Sequence, residues 1–121
     1  MTLPINGLSH VKGSTARPLI DATIPSFMAE VRKRHGDRPA AVFCQTSDCW
    51  TYHDLMRRGD RLAAGLLSIG VYKGDRVGIW SPNRPEWVLV QFATARIGAI
   101  LVNINPSYQT SELEYALGHA G

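Results

Sequence analysis

The strongest structural signal lies in residues 77–104, which read VGIWSPNRPEWVLVQFATARIGAILVNI. Residues 77–80 and 99–104 are short apolar runs, and the first is of the kind found in strands buried on both faces. The apolar residues between them predict a helix. A strand, a crossover that contains a helix and a second strand form a right-handed unit with parallel strands. We therefore predict an α/β fold with a βαβ unit at about residues 76–104.

The helix inside this unit has a predictable start and an unusual composition. Asn83 and Glu86 have the spacing of a capping box, and Pro85 is tolerated in a first turn. Nearly every residue from Trp87 to Ile97 is apolar, so the helix has almost no polar face. We expect it to be covered on several sides.

A helix and a hairpin are predicted upstream. Thr23 is the expected N-cap of the helix, with Pro25 in its first turn. The apolar residues of its inward face are Ile24, Phe27, Met28 and Val31. Residues 40–44 and 50–52 predict two strands joined at a polar turn over residues 46–48.

Two further helices are predicted around the βαβ unit. Thr51 is the expected N-cap of one, with Asp54 at its third position, and Gly70 followed by Val71 is a typical C-terminus. Its inward residues are Leu55, Leu62, Leu66 and Ile69. A last helix begins at Thr110. Its inward residues are Leu113, Ala116 and Leu117.

Composition excludes several classes of protein. The chain has 121 residues, of which 45% are hydrophobic and 19% charged, as expected of one globular domain. The formal net charge of +3 is spread over both halves, so nucleic acid is not an expected partner. The longest apolar runs, residues 87–90 and 98–102, are too short to span a bilayer, so no transmembrane segment is expected.

The cysteines and the first residues bear on the compartment. Residues 1–7 lack the basic and apolar stretches of a secretory signal, so we expect the cytoplasm or, in a eukaryote, the mitochondrial matrix. Cys44 and Cys49 are then expected to be free thiols. They could face each other across a hairpin, but their spacing matches neither a CxxC redox pair nor a four-ligand zinc site.

The pattern predicts one incomplete domain. Residues 1–22 have no amphipathic period and contain Gly7, Gly13 and Pro18, which predicts an extended segment. Residues 23–121 predict the start of a larger domain, because parallel strands are stable almost only in sheets covered on both faces. We expect the rest of that sheet to lie in a part of the protein beyond these residues.

No catalytic, cofactor-binding or metal-binding residue can be assigned from the pattern. The turn at residues 81–85 has two prolines and no glycine, so it lacks the amides that hold phosphates. Asn103, Asn105 and Pro106 follow a strand, where open parallel sheets bind ligands, but a simple turn is the favoured interpretation.

The charged candidates are equally weak. The basic run at residues 32–35 is favoured as a solvated helix end over an anion-binding patch. Glu112 and Glu114 point to different faces of a helix. The histidines have no spacing typical of a metal site or a catalytic triad; they are His10, His35, His53 and His119.

Several stretches resemble a known family. Residues 62–80, LAAGLLSIGVYKGDRVGIW, resemble the early part of the AMP-forming acyl-CoA synthetases, the adenylate-forming superfamily that includes luciferases and peptide-synthetase adenylation domains. Residues 81–87, 103–108 and 112–117 are most similar to its medium-chain fatty-acyl-CoA ligase branch, the acyl-CoA synthetase family member 2-like group. The likeness spans about residues 8–121 and includes SHVKG at residues 9–13.

The resemblance implies an enzyme in the parent protein. There a fatty acid and ATP with Mg²⁺ would give an acyl-adenylate, from which the acyl group passes to coenzyme A. The family's phosphate loop, ribose-binding Asp and catalytic lysine lie further along and do not occur in these 121 residues. The fragment alone is thus expected to be inactive, to bind none of these cofactors and to have the remainder of the ligase as its partner. The alternatives are another adenylate-forming ligase with a different acid, and a non-catalytic interaction module.

Overall fold

The computed structural model describes residues 13–121, which form four helices and four strands. In chain order these are α1 (Ile24–His35), β1 (Pro39–Phe43), β2 (Asp48–Thr51), α2 (Tyr52–Ser68), β3 (Arg76–Trp80), α3 (Pro85–Ile97), β4 (Ile100–Ile104) and α4 (Thr110–Ala120). The α/β class is confirmed. The segment predicted to be extended over residues 1–22 lies partly outside the described residues; its described part, residues 13–22, contains neither helix nor strand.

The parallel pair β3–β4 confirms the βαβ unit. Arg76 lies opposite Ile100 and Trp80 opposite Ile104, with no break in register. Two backbone hydrogen bonds join the chain just before the ladder begins: Gly74 N–H donates to the Gly98 carbonyl at 3.0 Å, and Ile100 N–H donates to the Asp75 carbonyl at 2.7 Å. Gly98 ends α3 with a φ of 74°, a conformation that favours glycine.

The sheet is less buried than its apolar sequence predicts. Along β3, Val77 and Ile79 are half-buried, whereas Gly78 and Trp80 are exposed. Among the described residues this strand is not buried on both faces, because α3 packs on one face while α4 covers only part of the other. Within residues 13–121 the sheet has two strands, so neither has a second neighbour.

The core is built by the other elements. Met28, Trp50, Leu55 and Met56 are buried together at the junction of α1, β2 and α2. Residues packed against them include Phe43 of the β1–β2 hairpin and Val88, Leu89 and Phe92 of α3. α2 packs against α3 at Gly59, where an added Cβ would lie 3.7 Å from the Phe92 Cβ, an ordinary van der Waals contact.

Four predicted inward residues are exposed: Ile24, Phe27, Ile69 and Leu117. Ile24 lines open grooves beside α3 instead of entering the core. Ile69 follows the last residue of α2, so it no longer obeys the helical period. Leu117 lies over Gly78 at the uncovered face of the sheet. The buried face of α2 is formed by Leu55, Met56, Gly59 and Ala63.

Helix ends follow local chemistry, with one correction. Thr23 caps α1, and Thr51 with Asp54 forms a capping box on α2, as predicted. The capping box expected at Asn83 is wrong: Arg84 is the N-cap of α3 and makes no side-chain cap. Pro85 explains this, because proline forces the preceding residue into extended backbone and fits the first helical position.

Candidate functional site

The carboxyl edge of the β3–β4 sheet is the place where an open parallel sheet binds ligands. Its polar groups bond to one another. The Trp80 indole N–H donates to the Asn105 carbonyl at 3.1 Å, and the Trp87 indole N–H donates to the Ser81 carbonyl at 3.3 Å. The Asn105 side-chain oxygen accepts from Ser107 N–H at 3.0 Å. These contacts shape the loops and leave no convergent set of donors.

The β3–α3 turn does not fit a nucleotide phosphate. Pro82 and Pro85 supply no N–H, and Trp87 N–H is used by the Arg84 carbonyl at 3.0 Å. The first turn of α3 already carries the Glu86 carboxylate, which lies 3.3 Å from Arg84 Nε. An acidic side chain at a helix N-terminus satisfies the helix dipole and repels a second anion. The turn therefore offers no cradle for ATP with Mg²⁺.

An open groove of about 680 Å³ separates α4 from the sheet. Its floor is Ile100 and Val102 of β4, and its wall is formed by α4. Tyr115 and His119 stack along that wall with ring centroids 5.8 Å apart. The floor is apolar, so this face suits an apolar cover better than a charged ligand.

The α1–α2 junction holds a tight contact between residues far apart in sequence. Arg32 Nε donates to His53 Nδ1 at 3.1 Å, and the backbone N–H of His53 donates to the Gly36 carbonyl at 2.9 Å. The imidazole lies so close to Gly36 that a Cβ there would clash with it, and would also lie 2.8 Å from the Arg32 carbonyl oxygen. Gly36 ends α1 with ordinary helical dihedrals, so close approach is the reason for glycine.

His53 is thus an exposed residue of the first turn of α2 that also joins α1 to α2. Sequence reasoning missed this role because Arg32 and His53 share no motif. The only signal in the sequence is Gly36 at the end of α1. Glycine is common at helix C-termini, so this signal does not by itself indicate a close contact.

The surroundings of Asp54 favour the charged form of its carboxyl group. Its pKa is lowered, first by the hydrogen bond from the Thr51 hydroxyl and then by the bond from Thr51 N–H, while slight desolvation opposes the change. Arg57 lies 2.7 Å from the carboxylate and lowers the pKa further. The cause is a helix cap, so the shift marks a structural carboxylate and not a catalytic acid.

The remaining candidates are scattered. His35, His53 and His119 lie on three different helices, whereas His10 is outside the described residues. Glu112 accepts a hydrogen bond from Gln109 N–H at 2.6 Å at the start of α4. Over residues 13–121, no three His, Cys, Asp or Glu side chains are grouped to hold a metal ion, and no helix is long and apolar enough to cross a membrane.

Comparison with known proteins identifies what this architecture resembles. The family model described as AMP-binding enzyme matches residues 28–121. The mouse (Mus musculus) medium-chain acyl-CoA ligase ACSF2, mitochondrial, is 45% identical over 119 residues, covering 98% of this chain and 19% of the mouse protein. The acyl-CoA ligase sidI of Aspergillus fumigatus is 46% identical over 112 residues, covering 93% of this chain and 19% of that protein.

A solved structure agrees. The N-terminal subdomain of Klebsiella oxytoca NpsA superposes with a TM-score of 0.76 at 30% identity, covering 82% of this chain and 26% of that one. The chain spans about a fifth of the length of the curated relatives it matches.

Proposed function

Since the chain belongs to the AMP-binding enzyme family, we propose that residues 23–121 form the start of the N-terminal domain of an ATP-dependent fatty-acid–CoA ligase. The observation that carries this proposal is 45% identity, over nearly the whole chain, to a protein named as a medium-chain acyl-CoA ligase. In the proposed reaction, the fatty-acid carboxylate attacks ATP, which forms the acyl-adenylate and releases pyrophosphate. The coenzyme A thiol then attacks the acyl-adenylate and releases AMP.

The described residues serve this reaction as scaffold. They provide a buried cluster around Leu55 and a parallel strand pair with an uncovered apolar face. The β3–α3 turn does not suit ATP with Mg²⁺, because it has two prolines and the first turn of α3 carries a carboxylate. We therefore expect nucleotide, Mg²⁺ and coenzyme A to be bound by other parts of the ligase, and the chain alone to be inactive.

The proposed partners follow from the same role. The remainder of the ligase would cover the groove between α4 and the sheet, and the small-molecule partner would be a fatty acid. No nucleic-acid partner is proposed. We place the ligase in the cytoplasm or, in a eukaryote, in the mitochondrial matrix; the name of the mouse relative supports the latter.

Two alternatives are kept. Structural similarity to NpsA supports an adenylate-forming ligase that acts on a different acid. The buried cluster formed by α1, α2 and the hairpin, with α3 packed against it, supports a non-catalytic interaction module that binds a partner through its open sheet.

A segment exchange separates these possibilities. The chain replaces the matching segment of the mouse ligase, and acyl-CoA formation is measured with acids of several lengths. We expect the chimera to remain active, while the 121-residue chain alone gives no acid-dependent exchange of pyrophosphate into ATP. A folded but inactive chimera would favour the module, and exchange by the chain alone would contradict the scaffold role.

We do not expect the chimera to act on aromatic acids, because all of it outside the exchanged segment comes from the mouse medium-chain ligase. The acid used by the chain's own protein is tested separately, by measuring exchange with the natural full-length ligase. A preference for a non-fatty acid there would favour the first alternative.

A further inference from the structure

The tip of the β1–β2 hairpin carries both cysteines of the chain. Cys44 is the first residue of the turn, and Cys49 is the second residue of β2. Both side chains are exposed and neither is bonded to another cysteine. Reagents in solvent therefore reach both thiols.

The register places the two cysteines close together. Val42 lies opposite Cys49 and Phe43 opposite Asp48, and both Val42 and Cys49 are exposed. Cys44 follows Phe43 directly as the first residue of the turn, and Cys49 follows Asp48 directly in β2. Each cysteine is thus adjacent in sequence to one member of the last cross-strand pair of the hairpin.

A contact between the adjacent residues shows how close such positions come. Phe43 lies opposite Asp48, yet its ring meets Trp50, two residues further on, with centroids 4.7 Å apart. Cys44 and Cys49 are the next residues toward the tip after Phe43 and Trp50. Diagonal neighbours in an antiparallel pair lie about 7–8 Å apart, slightly beyond the reach of a disulfide.

The turn can supply the remaining movement. Residues 44–47 separate the two strands, and one backbone hydrogen bond, from Thr46 N–H to the Phe43 carbonyl at 3.2 Å, closes them. Ser47 has a φ of 57°, which is uncommon for a residue other than glycine. A turn with one internal backbone hydrogen bond and exposed residues adjusts at little cost.

We propose that Cys44 and Cys49 form a dithiol site that closes reversibly to an intramolecular disulfide with glutathione disulfide as the oxidant. One thiolate attacks glutathione disulfide, giving a mixed disulfide and releasing one glutathione thiolate. The second protein thiolate displaces the other glutathione. Glutathione disulfide thereby gains two electrons, the protein loses two electrons and two protons, and two glutathione molecules leave. In a reducing compartment the site stays open as two thiols.

The test equilibrates the reduced chain with mixtures of reduced and oxidised glutathione, alkylates the remaining thiols and measures the intact mass. We expect a species lighter by two hydrogens and carrying no alkyl group. Cys44→Ser and Cys49→Ser should instead accumulate the mixed disulfide. Phenylarsine oxide, which bridges neighbouring thiols without oxidation, should bind the unmodified chain and neither variant.

Two controls tie closure to the fold. In concentrated urea, closure should need a roughly tenfold more oxidising mixture, because the hairpin no longer holds the thiols together. Val42→Cys in the Cys44→Ser background places a thiol directly opposite Cys49 and should close most readily. Any of four results would overturn the proposal. They are mixed disulfides on both cysteines, disulfide-linked dimers, absence of closure, and equal closure in urea.

Discussion

The two halves of the molecule contain similar proportions of apolar residues but bury them very differently. In the half formed by α1, the hairpin, α2 and α3, Leu55 is 3% exposed and Ala93 is fully buried. In the half formed by β3, β4 and α4, Leu117 is 52% and Tyr115 73% exposed. Helices and an antiparallel hairpin can close around their own side chains, whereas a parallel strand pair needs cover on both faces. The difference shows that apolar sequence predicts a need for burial, not the partner that satisfies it.

The largest expected effect concerns the assembly state. Because the open half exposes Trp80, Ile100 and Tyr115, the 121-residue chain should self-associate or bind a hydrophobic dye. A longer protein that includes the whole N-terminal domain should do neither. Light scattering and dye fluorescence on both proteins measure this. A monodisperse, dye-negative chain of 121 residues that unfolds cooperatively would break the comparison and favour the module.

Matched truncations in the two halves test the comparison directly. Leu55→Ala leaves a cavity in the closed half and should lower the free energy of unfolding by about 3 kcal/mol. Leu117→Ala removes the same atoms from an exposed position and should cost less than about 1 kcal/mol. Urea unfolding gives both values. Equal losses would mean that Leu117 is buried in solution.

Glycine substitutions sharpen the account of the closed half. Gly36→Ala pushes a methyl group against His53 and the Arg32 carbonyl, so it should destabilise the chain by about 1–3 kcal/mol. Gly65→Ala, inside α2 with no neighbour near the new methyl group, should stabilise it by about 0.5–1 kcal/mol. Thermal unfolding of both variants decides the point; a neutral Gly36→Ala would contradict the tight junction.

Helix caps give a smaller difference. Thr51 caps α2 through its hydroxyl, which accepts from Asp54 N–H at 3.1 Å, so Thr51→Ala should cost about 1 kcal/mol. Arg84 makes no such cap on α3, so Arg84→Ala should change stability by a few tenths of a kcal/mol. Urea unfolding of the pair tests whether the cap is formed, and equal effects would argue against it.

The smallest effect is a pH dependence. The pKa of Asp54 is lower in the folded chain, so folding favours its charged form. Its contribution is complete above the unfolded carboxyl pKa, about 3.9, and is lost as the pH falls through the lowered folded value. Asp54→Asn should lose less stability between about pH 5 and pH 2 than the unmodified chain. An unchanged acid profile in this variant would show that the cap does not depend on the carboxylate.

Sequence reasoning succeeded where the signal was local. The parallel pair β3–β4, the cap at Thr51 and the end of α2 at Gly70 are set by nearby residues, and each was predicted. At that end the Val71 N–H donates to the Leu66 carbonyl at 3.0 Å, in the arrangement typical of a glycine C-terminus.

Predictions failed where tertiary neighbours decide the outcome. Ile24 and Leu117 lie at helical positions that suit burial, but no described element covers them. Asn83 has the right chemistry for a cap, and Pro85 moves the helix start past it. The contact of Arg32 with His53 arises only when two helices meet, and no periodicity in either helix encodes it.

The two hydrogen bonds at the start of the β3–β4 ladder have a consequence for the order of folding. Gly74 and Asp75 bond to Gly98 and to Ile100, the first residue of β4, so they join the two ends of the crossover. Loop closure across one helix is fast compared with pairing of distant strands. Once this closure forms, the register is set, and a slip by one residue would turn every following side chain to the wrong face. We expect this unit to assemble early, on the ribosome, where it can present a correctly aligned strand pair to later parts of a growing sheet.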